Sequence, residues 1–319
     1  MDASPIQRIL LLAPGRSGST LLQSAFLASC GVLTFFEPCR HGPGGGSLHK
    51  KKCIPQALRF LDCKLPQKKE RWNPPALRGW LRHPYNDANT SCPNRDPFAA
   101  TVAEAKQACQ SAAVVLVKEI RLVGQLSRIA AAHSRRHRRD ANATAIVHLV
   151  RDPRPMLTSQ RRLGWWNFGN LSGHKRDAEM ERVSSRLCTG LAADAAEGER
   201  MKQAADGMRY IRVRFEELAD DLPGTTARLY AALGLPLPRS TRDWLSRTMG
   251  GQCAYGDAAD SRNATDRQRF EYSTCRRDRP SRRPRWKQEL SSREKRTIHK
   301  HCAGVMRTLG YGHASAAQT

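Results

Sequence analysis

With 319 residues the chain is long enough to bury a sizeable core, and an apolar content of 39% argues against wholesale disorder. A formal net charge of +25 points to an anionic ligand, an acidic polymer or both. Nucleic acid is disfavoured all the same: zinc-finger spacing and RNP aromatic motifs are missing, and aromatic residues make up only 6% of the chain.

The first strong segment is ILLLAPGRSGST, Ile9 to Thr20. An apolar run from Ile9 to Ala13 predicts a strand, Pro14-Gly15 breaks it, and helical spacing begins at Ser19 with Leu21, Leu22, Ala25 and Phe26. Small residues at Gly15, Ser17, Gly18 and Ser19 let backbone N–H groups approach an anion, and Arg16 adds a full positive charge. The loop reads as a phosphate cradle. It is a poor Walker loop, because the first Gly of that pattern falls on Ala13 and its Lys on Ser19, which disfavours a nucleoside triphosphate with Mg²⁺. A second strand, Val32 to Phe36, stops at Glu37-Pro38. Glu37 and His41 then stand at the carboxyl edge of the predicted sheet, where ligands bind in open α/β folds; the plainer alternative is a loop Glu and a surface His.

From Gly42 through Asp96 the chain is Gly-, Pro- and Lys-rich with weak periodicity, and reads as a loop-rich insertion over about 42–97, not as a core layer. Ala112 to Lys118 predicts a strand, and Leu122, Val123, Leu126, Ile129 and Ala130 an amphipathic helix. The basic run His133 to Arg139 is expected to lie solvated at its end. Ala145 to Val150 is the next strand, ending at Arg151-Asp152-Pro153-Arg154 before a helix with Met156, Leu157 and Ser159. Arg151 and Ser159 can bind a second phosphate by charge-assisted hydrogen bonds; the alternative is a capping pair between Arg151 and Asp152.

Met180, Val183, Leu187 and Leu191 mark another helix, Arg209 to Phe215 a strand, and Leu222, Leu229, Tyr230 and Leu233 a helix closed by Gly234 and Pro236. Gly250 to Arg285 is polar and reads as a covering segment. The pattern Ser291-x-x-Glu294 opens a last helix that buries Ile298, Cys302, Val305, Met306 and Leu309. Alternating strands and helices imply an α/β fold, a parallel sheet flanked by helices, in a single domain over 1–319.

Ten cysteines without a CxxC pair suit a secretory-pathway lumen with some disulfides better than metal binding, and their connectivity cannot be read from spacing. Sequons at Asn89, Asn142, Asn170 and Asn263 agree with a glycosylating compartment. The amino terminus has no n-region and the apolar runs are too short to span a bilayer, so the expectation is a membrane anchor lying outside this chain.

At this point the chain resembles the Golgi carbohydrate 6-O-sulfotransferases, which modify galactose, N-acetylgalactosamine or N-acetylglucosamine, and the resemblance covers nearly all of it. RSGST, Arg16 to Thr20, is similar to that family's 5′-phosphosulfate loop, and VHLVRDPRPMLTSQ, Val147 to Gln160, to its 3′-phosphate motif. FFEPCRH at Phe35 matches an EPxxH element, VKEIRL at Val117 a Lys-x-x-Arg strand exit, and RVRFEELADDL the next strand and acidic turn; Tyr272 to Thr274, RWKQEL and the closing LGYG are similar too. Lys287 stands where the family often has Arg after the Trp. The resemblance implies a P-loop-like sulfotransferase fold. It implies in-line sulfuryl transfer from 3′-phosphoadenosine 5′-phosphosulfate to a sugar hydroxyl, with no metal required.

The implied donor contacts are Gly15, Arg16, Ser17, Gly18, Ser19 and Thr20, then Arg151, Asp152, Pro153 and Ser159, and finally Trp286 and Lys287. Glu37 is the expected general base, because it sits at a strand end where backbone position is fixed; His41 is its competitor, with an unperturbed pKa near 6.5 better suited to the task. The expected partner is a glycan, in view of the charge an acidic glycosaminoglycan such as a chondroitin or keratan chain, and the expected location is the Golgi lumen. The competing functions are a nucleotide-dependent kinase or ATPase on a similar sheet and a polyanion-binding protein without catalysis.

Overall fold

The computed structural model describes residues 7–40, 50–65, 102–137, 143–166, 171–204, 207–250 and 286–312. Five strands, β1 Arg8–Leu12, β2 Val32–Phe36, β3 Val114–Glu119, β4 Thr144–Val150 and β5 Arg209–Arg214, pair in the order β2-β3-β1-β4-β5, all parallel. The chain starts at the centre of the sheet, runs out to β2 and β3, then crosses to β4 on the other side of β1. That reversal puts the topological switch point at the carboxyl ends of β1 and β4, the place where open α/β sheets bind ligands.

The strands read as continuous apolar runs because both faces are covered. Leu10, Val117, Phe35 and Ile146 share one face with the helices Lys50–Leu61 and Leu126–Arg136. Ile9, Leu11, Leu116 and Val147 share the other with Ser19–Leu27, Leu222–Ala232 and Arg239–Met249. A third cluster packs Met156 and Leu157 of the helix Pro153–Arg162 against Gly173–Gln203 and the last helix, Ser292–Thr308. The capping box read at Ser291 and Glu294 is present, and Arg161 adds a 2.8 Å ion pair to that same glutamate.

Several elements depart from the sequence expectations. The stretch read as a coreless insertion contains the helix Lys50–Leu61, whose Cys53, Ile54, Leu58, Phe60 and Leu61 are buried; three lysines and Pro55 hide its apolar stripe. The helix expected from Leu122 begins only at Leu126, because Asp194 accepts the N–H groups of Gly124 (2.6 Å) and Leu126 (2.9 Å) and holds the preceding residues in a turn. The helix containing Met180 runs for 31 residues, Gly173–Gln203, and Phe215 opens a short helix instead of ending β5. The basic run is not wholly solvated: buried His133 pairs with Thr144 Oγ1 at 3.0 Å, and Arg136 (3.2 Å) and His137 (2.9 Å) turn to Asp62, whose side chain is only 5% exposed.

Among the described residues three disulfides join Cys39 to Cys53, Cys63 to Cys109 and Cys188 to Cys302, and Cys30 is also disulfide-bonded. Among the described residues no helix is long and apolar enough to cross a membrane. The asparagines of the four sequons and the segment 251–285 lie outside the described residues.

His148, buried in β4, shares a 2.8 Å hydrogen bond with the Tyr210 hydroxyl, and burial, helped by nearby Arg212, pulls its pKa down to about 3. The native chain therefore holds it neutral while the unfolded chain takes up a proton below about 6.5. From pH 6.5 toward 3 this costs stability, by up to about 1.4 kcal/mol per pH unit. Asp194, raised by burial to about 6, works in the opposite sense. Urea unfolding of the wild type and of His148→Gln at pH 7 and pH 5 isolates the histidine: the difference between the two chains should shrink or reverse at the lower pH.

Candidate active site

The loop after β1 has features that suit an anion. Gly18 precedes the helix Ser19–Leu27 with φ +86°, and no side chain caps its first turn, so the N-terminal N–H groups and their partial positive charge face the loop. Ser17 is fully buried and its Oγ has no hydrogen-bond partner among the described residues, a donor ready for an oxygen ligand. Arg16 holds φ +69°, a strained value for a residue with a Cβ.

The second motif closes on this loop. Arg16 Nε donates to Ser159 Oγ at 3.0 Å, Arg151 Nη1 donates to the Arg16 carbonyl at 2.7 Å, and Gln160 Nε2 donates to the Gly15 carbonyl at 2.8 Å. Two strand exits far apart in the chain are thus joined in one cationic cluster. The Arg151 guanidinium lies 4.1 Å above the Phe215 ring, and a Cβ on Gly18 would overlap that ring, so only glycine fits there.

Asp152 caps the helix Pro153–Arg162, with Pro153 at its first position. Its partner is Arg154, through the backbone N–H at 2.9 Å and the guanidinium at 2.7 Å. Asp152 is thus engaged by Arg154, and among the described residues the capping pair between Arg151 and Asp152 does not form. Arg154 lies 4.5 Å over the ring of Trp286, which is buried in the third core cluster, while Lys287 is exposed. Neither of these two is among the residues joined to the loop by the contacts above. His41 lies outside the described residues.

A buried charge cluster borders the loop at the ends of β2 and β3. Lys118 Nζ donates to Glu37 Oε1 at 2.8 Å, sits 3.9 Å from the Phe36 ring centroid and lies 3.4 Å from Thr20 Oγ1. Arg121 Nη1 donates to Glu37 Oε2 at 2.8 Å and to Glu119 Oε1 at 3.3 Å, and Glu119 Oε2 accepts the Cys39 N–H at 3.0 Å. Burial alone would raise the Glu37 pKa, but Lys118 and Arg121 outweigh it and bring it down to about 2. Burial pulls Lys118 below the usual lysine range with Glu37 opposing, and raises Glu119 with Glu37 adding to the rise. Glu37 stands where the strand end was expected to put a base, yet in this state it is a weakly basic carboxylate, held by two cations and with φ +46°.

The sequence marks Lys118 and Arg121 through the Lys-x-x-Arg strand exit of VKEIRL but assigns no role to them, nor to Gln160 or Phe215. Lys118 and Glu119 did carry a signal, as charged residues closing the apolar run AAVVLVKE at a carboxyl strand end. Gln160 and Phe215 carried none beyond lying in the matched motifs.

A family model described as Sulfotransferase family matches residues 8–239. Mouse Carbohydrate sulfotransferase 5 is 26% identical over 339 residues, spanning 95% of this chain and 80% of that protein. Rat Carbohydrate sulfotransferase 1 is 25% identical, spanning 83% of this chain and 74% of that one. Among solved structures, mouse sulfotransferase SULT7A1 complexed with PAP aligns with a TM-score of 0.50 and 11% identity over 99% of this chain and 91% of that one, a likeness of fold.

Replacing Glu37 by Gln should lower stability by about 3–5 kcal/mol, because it strands the Lys118 ammonium in the interior. The double variant Glu37→Gln with Lys118→Met should lose less than Glu37→Gln alone. Equilibrium urea unfolding of the three chains checks both statements.

Proposed function

The chain belongs to the sulfotransferase family, and from that premise we propose that it transfers a sulfuryl group from 3′-phosphoadenosine 5′-phosphosulfate to a hydroxyl of a glycan. The observation that carries this reading is the 3.0 Å bond from Arg16 Nε to Ser159 Oγ, which unites the two anion-suited strand exits in one crevice. A donor with phosphate groups at both its 3′ and 5′ ends needs such a pair of sites and no Walker lysine. The buried Ser17 hydroxyl and the uncapped helix N-terminus fit the 5′-phosphosulfate, with Arg16, Gly18, Ser19 and Thr20 around it. Arg151 and Ser159 fit the 3′-phosphate.

In-line transfer leaves negative charge on the departing phosphate, so catalysis here is a matter of positioning and electrostatic stabilisation. Lys118, between Glu37 Oε1 at 2.8 Å and the loop hydroxyl of Thr20 at 3.4 Å, supplies a fixed positive charge beside the loop. We assign the general base to Glu37. An anion at the loop competes with Glu37 for Lys118, and any weakening of that ion pair raises the basicity of the carboxylate. The donor thereby activates the base.

The net charge of +25 favours an acidic glycan as acceptor, and the disulfides together with the similarity to carbohydrate sulfotransferases favour an oxidising Golgi lumen.

Three measurements test this reading. Arg151→Ala should weaken binding of 3′-phosphoadenosine 5′-phosphate by about 1.5–3 kcal/mol in calorimetry, the worth of a charge-assisted hydrogen bond; unchanged affinity overturns the 3′-phosphate assignment. Glu37→Gln should retain that binding while kcat falls by roughly 10² to 10⁴, and near wild-type turnover removes Glu37 as the base. Sulfation of a chondroitin oligosaccharide should weaken with added salt, whereas equal use of a neutral oligosaccharide without salt dependence removes the preference for an acidic acceptor.

A further inference from the structure

We propose that Trp165 is the stacking platform for the acceptor sugar, an inference that rests on the glycan reading above. The helix Pro153–Arg162 ends in a turn whose backbone is tied down residue by residue: Leu163 N–H bonds to the Ser159 carbonyl at 3.3 Å, Gly164 N–H to Arg161 at 3.0 Å, and Trp165 N–H to Gln160 at 3.1 Å. Gly164 makes the turn possible with φ +67°, a conformation that a side chain would strain although open space surrounds the position. Gln160 then fastens the turn to the loop, because its amide donates to the Gly15 carbonyl at 2.8 Å and accepts the Trp166 Nε1–H at 3.0 Å.

The two tryptophans part company at this point. Trp166 is half-buried against the third core cluster. Trp165 lies on Gly15, so closely that a Cβ there would overlap its six-membered ring, yet 37% of the residue remains open to solvent. Among the described residues the exposed large apolar side chains are Trp165 and Met249, and only Trp165 borders the loop. A rigid, flat indole held at the mouth of a polar crevice matches a pyranose ring, which has an apolar face of C–H groups and hydroxyls at its rim. Stacking buries the face and leaves the hydroxyls free to be directed toward the loop. Phe215 lies against Gly18 and beneath Arg151, so the two rings flank different residues of the loop.

The test uses wild-type, Trp165→Ala and Trp165→Phe chains with the sulfate donor. The acceptors are N-acetyllactosamine and unsulfated chondroitin oligosaccharides, and calorimetry measures binding of 3′-phosphoadenosine 5′-phosphate. Trp165→Ala should raise the acceptor KM about 10- to 100-fold, the loss expected for one aromatic stacking contact, while kcat and nucleotide affinity stay within a few-fold of wild type. Trp165→Phe, which keeps a flat ring, should recover most of the loss. An unchanged acceptor KM in Trp165→Ala overturns the platform and leaves the glycan reading standing. A parallel loss of nucleotide affinity also overturns it, since the ring then serves the donor or the loop. A wild-type chain that binds the nucleotide but sulfates no oligosaccharide removes the glycan reading, and the platform with it.

Discussion

The Lys118 ammonium, almost wholly withdrawn from water beneath the loop, sets the terms for the rest of the site. A buried cation is tolerated only where opposite charge and hydrogen bonds compensate it, and here Glu37 supplies both. Glu37 reaches it from the end of β2 by taking a left-handed backbone conformation, and Arg121 and Glu119 complete the set at the end of β3. The group is neutral when all four members are ionised. Removing one leaves a charge with no water to stabilise it, so strand ends, loop and turn are locked together by electrostatics as well as by packing.

That lock bears on chemistry through preorganisation. Donors aimed at developing charge are most effective when they are fixed before the reaction, in a crevice with little water. The loop meets that condition twice. On one flank, Arg16 bonds to the Ser159 side chain while Arg151 and Gln160 bond to the loop backbone, across two strand exits; on the other, Lys118 sits beside Thr20. The strain at Arg16 and Glu37 is carried by these same contacts, which over-determine both residues.

The scaffold around the crevice is stapled where the charge cluster needs it. The turn after Glu37 is held by the Cys39–Cys53 disulfide to the helix Lys50–Leu61 and by the Cys39 N–H to Glu119. Cys188–Cys302 ties the long helix Gly173–Gln203 to the last one, behind the helix that carries Ser159 and Gln160. Each staple limits how far a strand exit can drift from the loop.

By itself the sequence determined the layered α/β sheet, the place of the loop between β1 and its helix, and the clustering of polar residues beyond β2 and β4. These follow from local pattern: unbroken apolar runs, a Gly/Ser break and a switch to helical spacing are written in neighbouring residues. The tertiary structure alone decided which cysteines pair, that the helix Lys50–Leu61 belongs to the core despite Pro55, and that His133 turns inward to Thr144. It also decided that Arg154, not Arg151, closes on Asp152, and that Glu37 is held by Lys118 and Arg121. The reason is common to all of these. The energy of a buried charge, a disulfide or an inward-facing polar group depends on a partner from 11 to 114 residues away, or on the competition between two neighbours for one carboxylate, and such choices are made only when the fold brings these residues together.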